Sequence, residues 1–221
     1  CKWWHRAPNA GTGLADRTHS SDPHLWLPYV TVRYVKGSGD AGILDSVEPF
    51  LEANAVPHDQ EGDATVPLIS RDRDTLLGHC ARAIDYTLDR FGAHGLPLVG
   101  SGDWDDGMHL VGVKGRGESV WLGFFLHGIL LDIAPLFEMR GDVARAARYR
   151  ERAAKLRGAL DKCWTGDRYI RDFADDGRPI NPMSAMTSSW PVLSGAVSAA
   201  RGRETIEMRS LFLEDQIACC L

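Results

Sequence analysis

Apolar residues recur at helical spacing in two long segments of the chain. Residues 71–91 (RDRDTLLGHCARAIDYTLDRF) place apolar side chains every three or four positions. Residues 142–164 (DVARAARYRERAAKLRGALDKCW) repeat that pattern, with arginines between the apolar positions. One apolar stripe with charges opposite is typical of a surface helix that packs on a core. The pattern therefore predicts two amphipathic helices, and the arginine-rich face of the second is predicted to be solvated.

A third segment, residues 119–137 (SVWLGFFLHGILLDIAPLF), is apolar on nearly all sides. Such a segment is either a helix buried between neighbours or a membrane span. His127, Asp132 and Pro135 within it, and Glu118 just before it, argue against a span. We therefore predict a buried helix, and no membrane contact from this segment.

The remaining segments give weaker patterns. Residues 23–36 (PHLWLPYVTVRYVK) fit a helix with a kink at Pro28, although their β-branched residues also allow a strand. Residues 45–70 contain three prolines and are predicted to be irregular, and residues 167–182 are predicted to form a short hairpin or loop. Helices thus predominate, and the predicted fold class is all-α.

Length, charge and cysteine usage narrow the class of protein. At 221 residues and 44% apolar composition, the chain can bury a substantial core as a single domain. A net charge of −5 without a long basic run argues against nucleic-acid binding. The five cysteines lack metal-site spacing, which favours reduced thiols in the cytoplasm. Without an initiator methionine or a signal peptide, we expect the chain to be a fragment.

The candidate chemistry lies between the first amphipathic helix and the apolar helix. Residues 102–107 (GDWDDG) place three carboxylates and an indole between glycines. Adjacent carboxylates disfavour one another's ionisation, so we expect at least one to stay protonated near neutral pH. Trp104 offers a flat apolar face that suits a sugar ring. An acid beside an aromatic platform indicates glycosidic bond chemistry, with a solvated turn as the alternative. The spacing does not fit an EF-hand calcium loop.

Several motifs together resemble one family. GSGDWDDGM and GRGESVWLGFF, within residues 100–125, resemble the catalytic-loop region of glycoside hydrolase family 94, the inverting disaccharide and oligosaccharide phosphorylases. WWH at residues 3–5, RTHSSD at 17–22 and SWPVLSG at 189–195 resemble further family segments. The resemblance covers about residues 3–200 and is greatest to the phosphorylase-like domain of cyclic β-1,2-glucan synthases; residues 201–221 stay unassigned.

The resemblance implies a fold and a set of site residues. The fold implied is an (α/α)6 barrel built from αα-hairpins, of which this single partial catalytic domain supplies a part, with a helix at residues 23–36. Asp106 corresponds to the family's general acid, and Asp105 stands where the family usually has asparagine. Five further residues are implied to contact substrate, namely Arg17, Asp22, Asp103, Trp104 and Glu118.

Two of these residues are also suited to stabilising a helix end. Asp22 precedes Pro23, so it is a good N-cap for a helix that has proline at its first position. Glu118 precedes the apolar helix, where a negative charge favours the positive end of the helix dipole. The chain differs from the usual family residues at His19, Pro23 and Ser188. The resemblance therefore does not decide whether every family contact to the sugar is kept.

The function implied is phosphorolysis of a β-glucosidic bond, with inversion to α-glucose 1-phosphate. The substrates implied are β-1,2-glucan oligosaccharides and inorganic phosphate, and no cofactor is expected. We expect the family's phosphate-binding residues to lie beyond Leu221, and the chain to be cytoplasmic, alone or as the soluble domain of a larger membrane-associated synthase. Two alternatives stay open. One is an inverting hydrolase that uses a second carboxylate such as Glu118, and the other is an inactive sugar-binding remnant.

Overall fold

The computed structural model describes residues 3–5, 15–57, 60, 62–104, 108–182 and 184–207. Helices make up most of its regular structure. A 3-10 helix at Pro23–Leu25 leads into α1, and a second 3-10 helix at Ala41–Asp45 follows. The α-helices are α1 (Trp26–Ser38), α2 (Leu76–Leu88), α3 (Val120–Met139), α4 (Val143–Asp161) and α5 (Ala185–Leu193), followed by α6 at residues 199–207.

Within the part of the chain that the structure describes, eight short strands form three small antiparallel sheets. The first sheet contains β1 (Trp3–His5), β2 (Ala15–Thr18) and β4 (Gly62–Thr65), in that order. The second pairs β3 (Val47–Glu52) with β5 (Leu68–Thr75). The third has β7 (Asp172–Phe173) between β6 (Glu118–Ser119) and β8 (Pro179–Ile180). The third sheet lies at the N-terminus of α3, next to the loop that carries the predicted site.

The core is built around α3, whose residues are buried along almost the whole helix. Its partner is α4, which buries the stripe Ala146, Tyr149, Ala153, Leu156 and Leu160 against it. The connection of α3 to α4 is short and turns at Gly141, which has a φ of +84°. Aromatic rings from α1, α3 and α5 fill the other side, with Phe125 lying 4.7 Å from Trp26 and 5.0 Å from Trp190. The burial of α3 confirms the sequence prediction.

One described helix, α3, has the length and apolar composition that a membrane span needs. Within its most apolar stretch 78% of the residues are buried inside the protein. A core helix passes the same test of length and composition, so the test alone gives α3 no membrane role.

The structure corrects the all-α prediction at residues 45–75. The sequence predicts that segment to be irregular up to residue 70 and helical from residue 71, but residues 47–52, 62–65 and 68–75 are strands. The helix therefore begins five residues later than predicted, at Leu76, where the hydroxyl of Thr75 accepts the N–H of Gly78 as an N-cap. Residues 71–74 are all charged and have no strong strand preference of their own. They are extended because this segment belongs to β5, which pairs with β3.

Helix α1 confirms the helical interpretation of residues 23–36 and excludes the strand alternative. The predicted kink at Pro28 has no structural basis, because Pro28 lies in the first turn of α1, where a backbone N–H has no partner within the helix. The helix ends at Gly39, whose φ of +74° is that of a left-handed cap.

The sequence predicts that residues 71–91 and 119–137 pack as antiparallel neighbours joined by the candidate loop. Helices α2 and α3 do contact each other, but this contact is small. The most extensive contact of α3 is with α4, while α2 packs mainly with α1 and with the turns near it. The αα-hairpin of the described structure is therefore α3–α4, because a connection of only three residues joins these two helices. The segment between α2 and α3 is much longer and does not force those two helices to pack side by side.

Candidate functional site

The predicted site lies on a loop whose two ends are hydrogen-bonded to each other. The N–H of Val99 donates to the carbonyl of Gly117 (2.9 Å), and the N–H of Ser119 donates to the carbonyl of Pro97 (2.9 Å). We call residues 100–116, the segment between these ends, the site loop. Because its base is closed and continues into β6, the two ends of the site loop lie close to the N-terminal end of α3.

The N-terminal segment lies directly against the site loop. The N–H of Ser21 donates to the carbonyl of Gly102 (2.9 Å), and the N–H of Ser101 donates to the carbonyl of His19 (3.2 Å). Gly100 has a φ of +63°, and a Cβ atom there would lie 2.2 Å from the oxygen of His19. Only glycine therefore permits this contact. Two motifs that are about eighty positions apart in the sequence form one surface.

Asp103 belongs to the site loop, but its side chain is buried. Its two oxygens accept from the guanidinium of Arg171, at 2.7 and 3.0 Å, and the hydroxyl of Ser119 donates to one of them at 2.7 Å. The side chains of Asp103 and Arg171 are 0% and 1% exposed. Such a forked ion pair is strong when it is enclosed by protein, so it fixes the start of the site loop. A contact of Asp103 with substrate stays a prediction.

Glu118 is also buried, and its carboxylate holds a neighbouring turn. It accepts the backbone N–H groups of His94 (3.0 Å) and Leu96 (3.0 Å), and Nδ1 of His94 lies 2.7 Å from it. The side-chain cap of α3 is Ser119, and the carboxylate of Glu118 accepts from residues 94–96 instead. A dipole interaction of Glu118 with α3 stays a prediction. Gly92 accommodates this carboxylate, because a Cβ there would lie 2.3 Å from it. A substrate contact of Glu118 stays a prediction.

Trp104 follows the buried Asp103 and is 59% exposed. An indole that is largely exposed contributes little to the core, so its position is compatible with the predicted sugar platform. Asp105 and the predicted general acid Asp106 lie outside the described residues. Asp103 and Trp104 nevertheless fix where the chain enters that segment.

The remaining predicted contacts come from the N-terminal segment. Arg17 lies in β2, and its guanidinium donates to the carbonyl oxygen of Asn54. Asp22 is 2% exposed and accepts the indole N–H of Trp26 at 2.8 Å. It does not use its side chain as the predicted N-cap, although Pro23 does occupy the first helical position. Asp22 thus lies just after the segment that binds the site loop, whereas the structure gives Arg17 a partner in another loop.

Sequence reasoning missed Arg171, Ser119 and His94, which hold the buried carboxylates. No single-sequence pattern marks them, because each is an ordinary polar residue whose partner is distant in the chain. The hairpin predicted at residues 167–182 is confirmed as β7–β8. Among the described residues, no group of three or more potential ligands could hold a metal ion. The described cysteines Cys80 and Cys163 are buried, and burial raises the pKa of Cys80 to about 11 and that of Cys163 to about 12.

Comparisons with known proteins identify the family of the chain. The sequence model of the glycosyl hydrolase 94 superfamily, catalytic domain, matches residues 3–219. The chain is 36% identical over 201 residues to the cyclic beta-(1,2)-glucan synthase NdvB of Rhizobium meliloti, a match that covers 87% of the chain. It is 35% identical to a 3-O-beta-D-glucopyranosyl-beta-D-glucuronide phosphorylase of Paenibacillus borealis over 60% of the chain, and 29% identical to an N,N'-diacetylchitobiose phosphorylase of Vibrio furnissii over 85%.

A solved structure adds information on the fold alone. The family 78 rhamnosidase of Bacillus sp. GL1 superimposes with a TM-score of 0.50 over 60% of the chain, at 21% identity, and the match covers 14% of that rhamnosidase chain. The chain spans 7% of the glucan synthase, 18% of the glucuronide phosphorylase and 22% of the chitobiose phosphorylase.

The family model and these relatives define the class: a phosphorylase-like, carbohydrate-active domain. The chain belongs to the glycosyl hydrolase 94 superfamily, and it matches the catalytic domain of that superfamily. The family expected from the motifs at residues 100–125 is thereby confirmed.

Proposed function

We propose that this domain cleaves a β-glucosidic bond with inorganic phosphate, inverts the anomeric carbon and releases α-glucose 1-phosphate. The proposed substrates are β-1,2-glucan oligosaccharides, because the relative at 36% identity is a cyclic β-(1,2)-glucan synthase. Asp106 protonates the departing glycosidic oxygen while phosphate attacks the opposite face of the sugar. We also propose that the helices form part of an (α/α)6 barrel, and that phosphate is the only co-substrate.

The observation that carries this proposal is the contrast between two adjacent residues. Asp103 is buried and ion-paired, and Trp104 beside it is 59% exposed. An exposed indole on a rigid support can cover the apolar face of a sugar ring without losing side-chain freedom on binding. Asp106 lies two positions after Trp104 in the sequence, so a sugar on the indole would be within reach of that loop.

The hydrolase alternative needs a second carboxylate that activates water, roughly 6.5–9.5 Å from the acid. Glu118 is the sequence candidate, but it is 2% exposed and accepts three hydrogen bonds from His94 and Leu96. A carboxylate that is enclosed by protein and already accepts these bonds is poorly placed to take a proton from a water molecule. Phosphate brings its own negative charge and needs no such base, so the geometry at Glu118 favours phosphorolysis.

The test is the phosphate dependence of product formation by the full-length protein. With a β-1,2-glucooligosaccharide and inorganic phosphate, we expect α-glucose 1-phosphate, and no reducing sugar from hydrolysis when phosphate is omitted. Equal cleavage without phosphate would establish the hydrolase alternative. Sugar binding without turnover under either condition would establish the inactive remnant.

A matched pair of variants tests the acid. Asp106→Asn keeps the shape of the side chain but removes its transferable proton, and general acid catalysis typically contributes about 10²–10⁴-fold. We expect kcat to fall by at least about 10²-fold while KM changes little. A nitrophenyl glycoside, which has a good leaving group, should recover much of the loss. Asp105→Asn is the control and should stay close to wild type. If Asp105→Asn is the more damaging change, the assignment of the acid is wrong.

A further inference from the structure

The β7–β8 hairpin contacts the site loop at two separate points. One point is Arg171, just before β7, and the other is Asp175, in the turn between β7 and β8. The hairpin itself is fixed to the base of the site loop, because Phe173 pairs with Glu118 and Asp172 pairs with Ser119. The ring of His94 stacks on Phe173 at 3.8 Å, which adds a side-chain contact to this pairing.

At the first point, Arg171 holds Asp103, at the beginning of the site loop. Its guanidinium donates to both oxygens of Asp103 and to Asp172 at 2.9 Å. The backbone of Arg171 is fixed as well, since its N–H donates to Ile180 (3.0 Å) and its carbonyl accepts from Val120 (3.2 Å). Because Arg171 is bound at both its backbone and its head group, it gives Asp103 a fixed position.

At the second point, Asp175 holds the end of the site loop. Its carboxylate accepts the N–H groups of Lys114 (2.7 Å), Arg116 (2.8 Å) and Gly117 (3.0 Å). Its own N–H donates to the carbonyl of Val111 at 3.1 Å. Although partial burial raises the pKa of Asp175, its backbone hydrogen bonds outweigh this effect and lower that pKa below its usual value. The carboxylate is therefore charged at neutral pH and serves as the acceptor for one turn of the loop.

We propose that the β7–β8 hairpin is a two-point clamp on the site loop, and that Arg171 and Asp175 are positioning residues for the general acid. The two contacts lie at residue 103 and at residues 111–117, so they bracket Trp104 and Asp106. The role in catalysis rests on the proposed function; the clamp itself rests on the contacts. Since a displacement of about 1 Å can cost about 10²-fold in rate, fixing both ends of a loop that carries an acid has a direct effect on turnover.

Asp175→Asn tests the second point without emptying the core, because Asp175 lies in a turn that is only partly buried. The amide nitrogen that replaces one oxygen is a donor and would face a backbone N–H, so at least one loop contact is lost. Asp176→Asn is the matched control. Asp176 is the next residue in the same turn, its side chain is 67% exposed, and the described partners of its carboxylate lie in Arg178.

Arg171→Lys tests the first point. Lysine keeps the positive charge beside Asp103 but lacks the planar fork, so it cannot donate to both oxygens of Asp103 and to Asp172 together. Arg168→Lys is the matched control, since the head group of Arg168 is partly exposed and pairs with its neighbour Asp167.

Each variant is measured in the full-length protein by kcat and KM for phosphorolysis, by melting temperature, and by hydrogen exchange of amides 104–113. We expect Asp175→Asn and Arg171→Lys to lower kcat by about 10- to 10²-fold with little change in KM. We also expect their amides 104–113 to exchange faster, and a nitrophenyl glycoside to recover part of the lost rate. Both controls should match wild type.

Two results would overturn the clamp. One is exchange and turnover equal to those of the control variants. The other is a lower melting temperature with unchanged kcat at the assay temperature, which would make both residues structural only. If the wild-type protein shows no phosphorolysis, the proposed function fails, and hydrogen exchange alone then tests the clamp. Faster exchange at residues 104–113 would then still support the clamp, and unchanged exchange would overturn it.

Discussion

Trp104 and Trp121 form a matched pair with which the sugar platform can be tested. Trp104 is 59% exposed on the site loop, whereas Trp121 in α3 is 0% exposed. Replacing each by alanine removes the same atoms from opposite environments. If Trp104 is a platform, its loss should weaken sugar binding, and if it were part of the core, its loss should lower stability.

The exposed fraction sets the expected stability change. An aromatic side chain buries about 150–250 Å² when it is enclosed, so Trp104 buries roughly 60–100 Å². At about 25 cal/mol per Å² this is roughly 1.5–2.5 kcal/mol at most. Alanine keeps the backbone and Cβ contacts, and the unfolded chain already buries part of this area, so we expect Trp104→Ala to cost about 1 kcal/mol. Trp121→Ala should cost about 3–5 kcal/mol.

The affinity for sugar should fall more in Trp104→Ala than in Trp121→Ala, which is the reverse of the order expected for stability. A sugar that covers half of the exposed indole surface removes roughly 45–75 Å² from water, about 1–2 kcal/mol. At about 1.4 kcal/mol per tenfold, Trp104→Ala should raise the Kd for oligosaccharide by roughly 5- to 30-fold. Titration calorimetry gives the Kd and scanning calorimetry the stability of the same full-length samples. A loss of several kcal/mol in Trp104→Ala with an unaltered Kd would refute the platform.

Two further predictions concern the site loop and the core. Gly100→Ala should destabilise the full-length protein more than Gly115→Ala in urea unfolding, because the new Cβ would meet the oxygen of His19 at 2.2 Å, whereas nothing lies within 4 Å of Gly115. Both glycines have a positive φ, so alanine introduces similar backbone strain at either position. Equal losses of unfolding free energy in the two variants would contradict the contact between Gly100 and His19. Burial lowers the pKa of His127 below its ordinary value of 6.5, so the folded state resists the proton that the unfolded state accepts. Stability should therefore be complete above about pH 6.5 and fall below it, by up to about 1.4 kcal/mol per pH unit. His127→Asn should flatten that fall, and an unchanged pH dependence would show that other groups cause it.

The helices could be predicted from the sequence because their cause is local. Periodic apolar positions alone indicate α2 and α4, and an all-apolar segment indicates α3. The position of the site loop could be predicted too, since the glycine- and aspartate-rich residues 102–107 lie between two helical segments and favour a turn. Motifs at residues 3–5, 17–22 and 100–125 indicate the family, and its sequence model confirms it.

The tertiary structure determines which contacts the side chains of these segments make. Nothing local distinguishes Asp103 from Asp105, and only the arrival of Arg171, 68 positions later, makes Asp103 a buried half of an ion pair. Glu118 precedes a helix, yet its carboxylate accepts the N–H groups of His94 and Leu96. Leu96 is buried, so its N–H would otherwise have no partner in water. The extended conformation of residues 71–75 likewise depends on β3 as a partner strand. Sequence patterns report periodicity along one element, whereas burial, ion pairs and strand pairing are fixed only when distant segments meet.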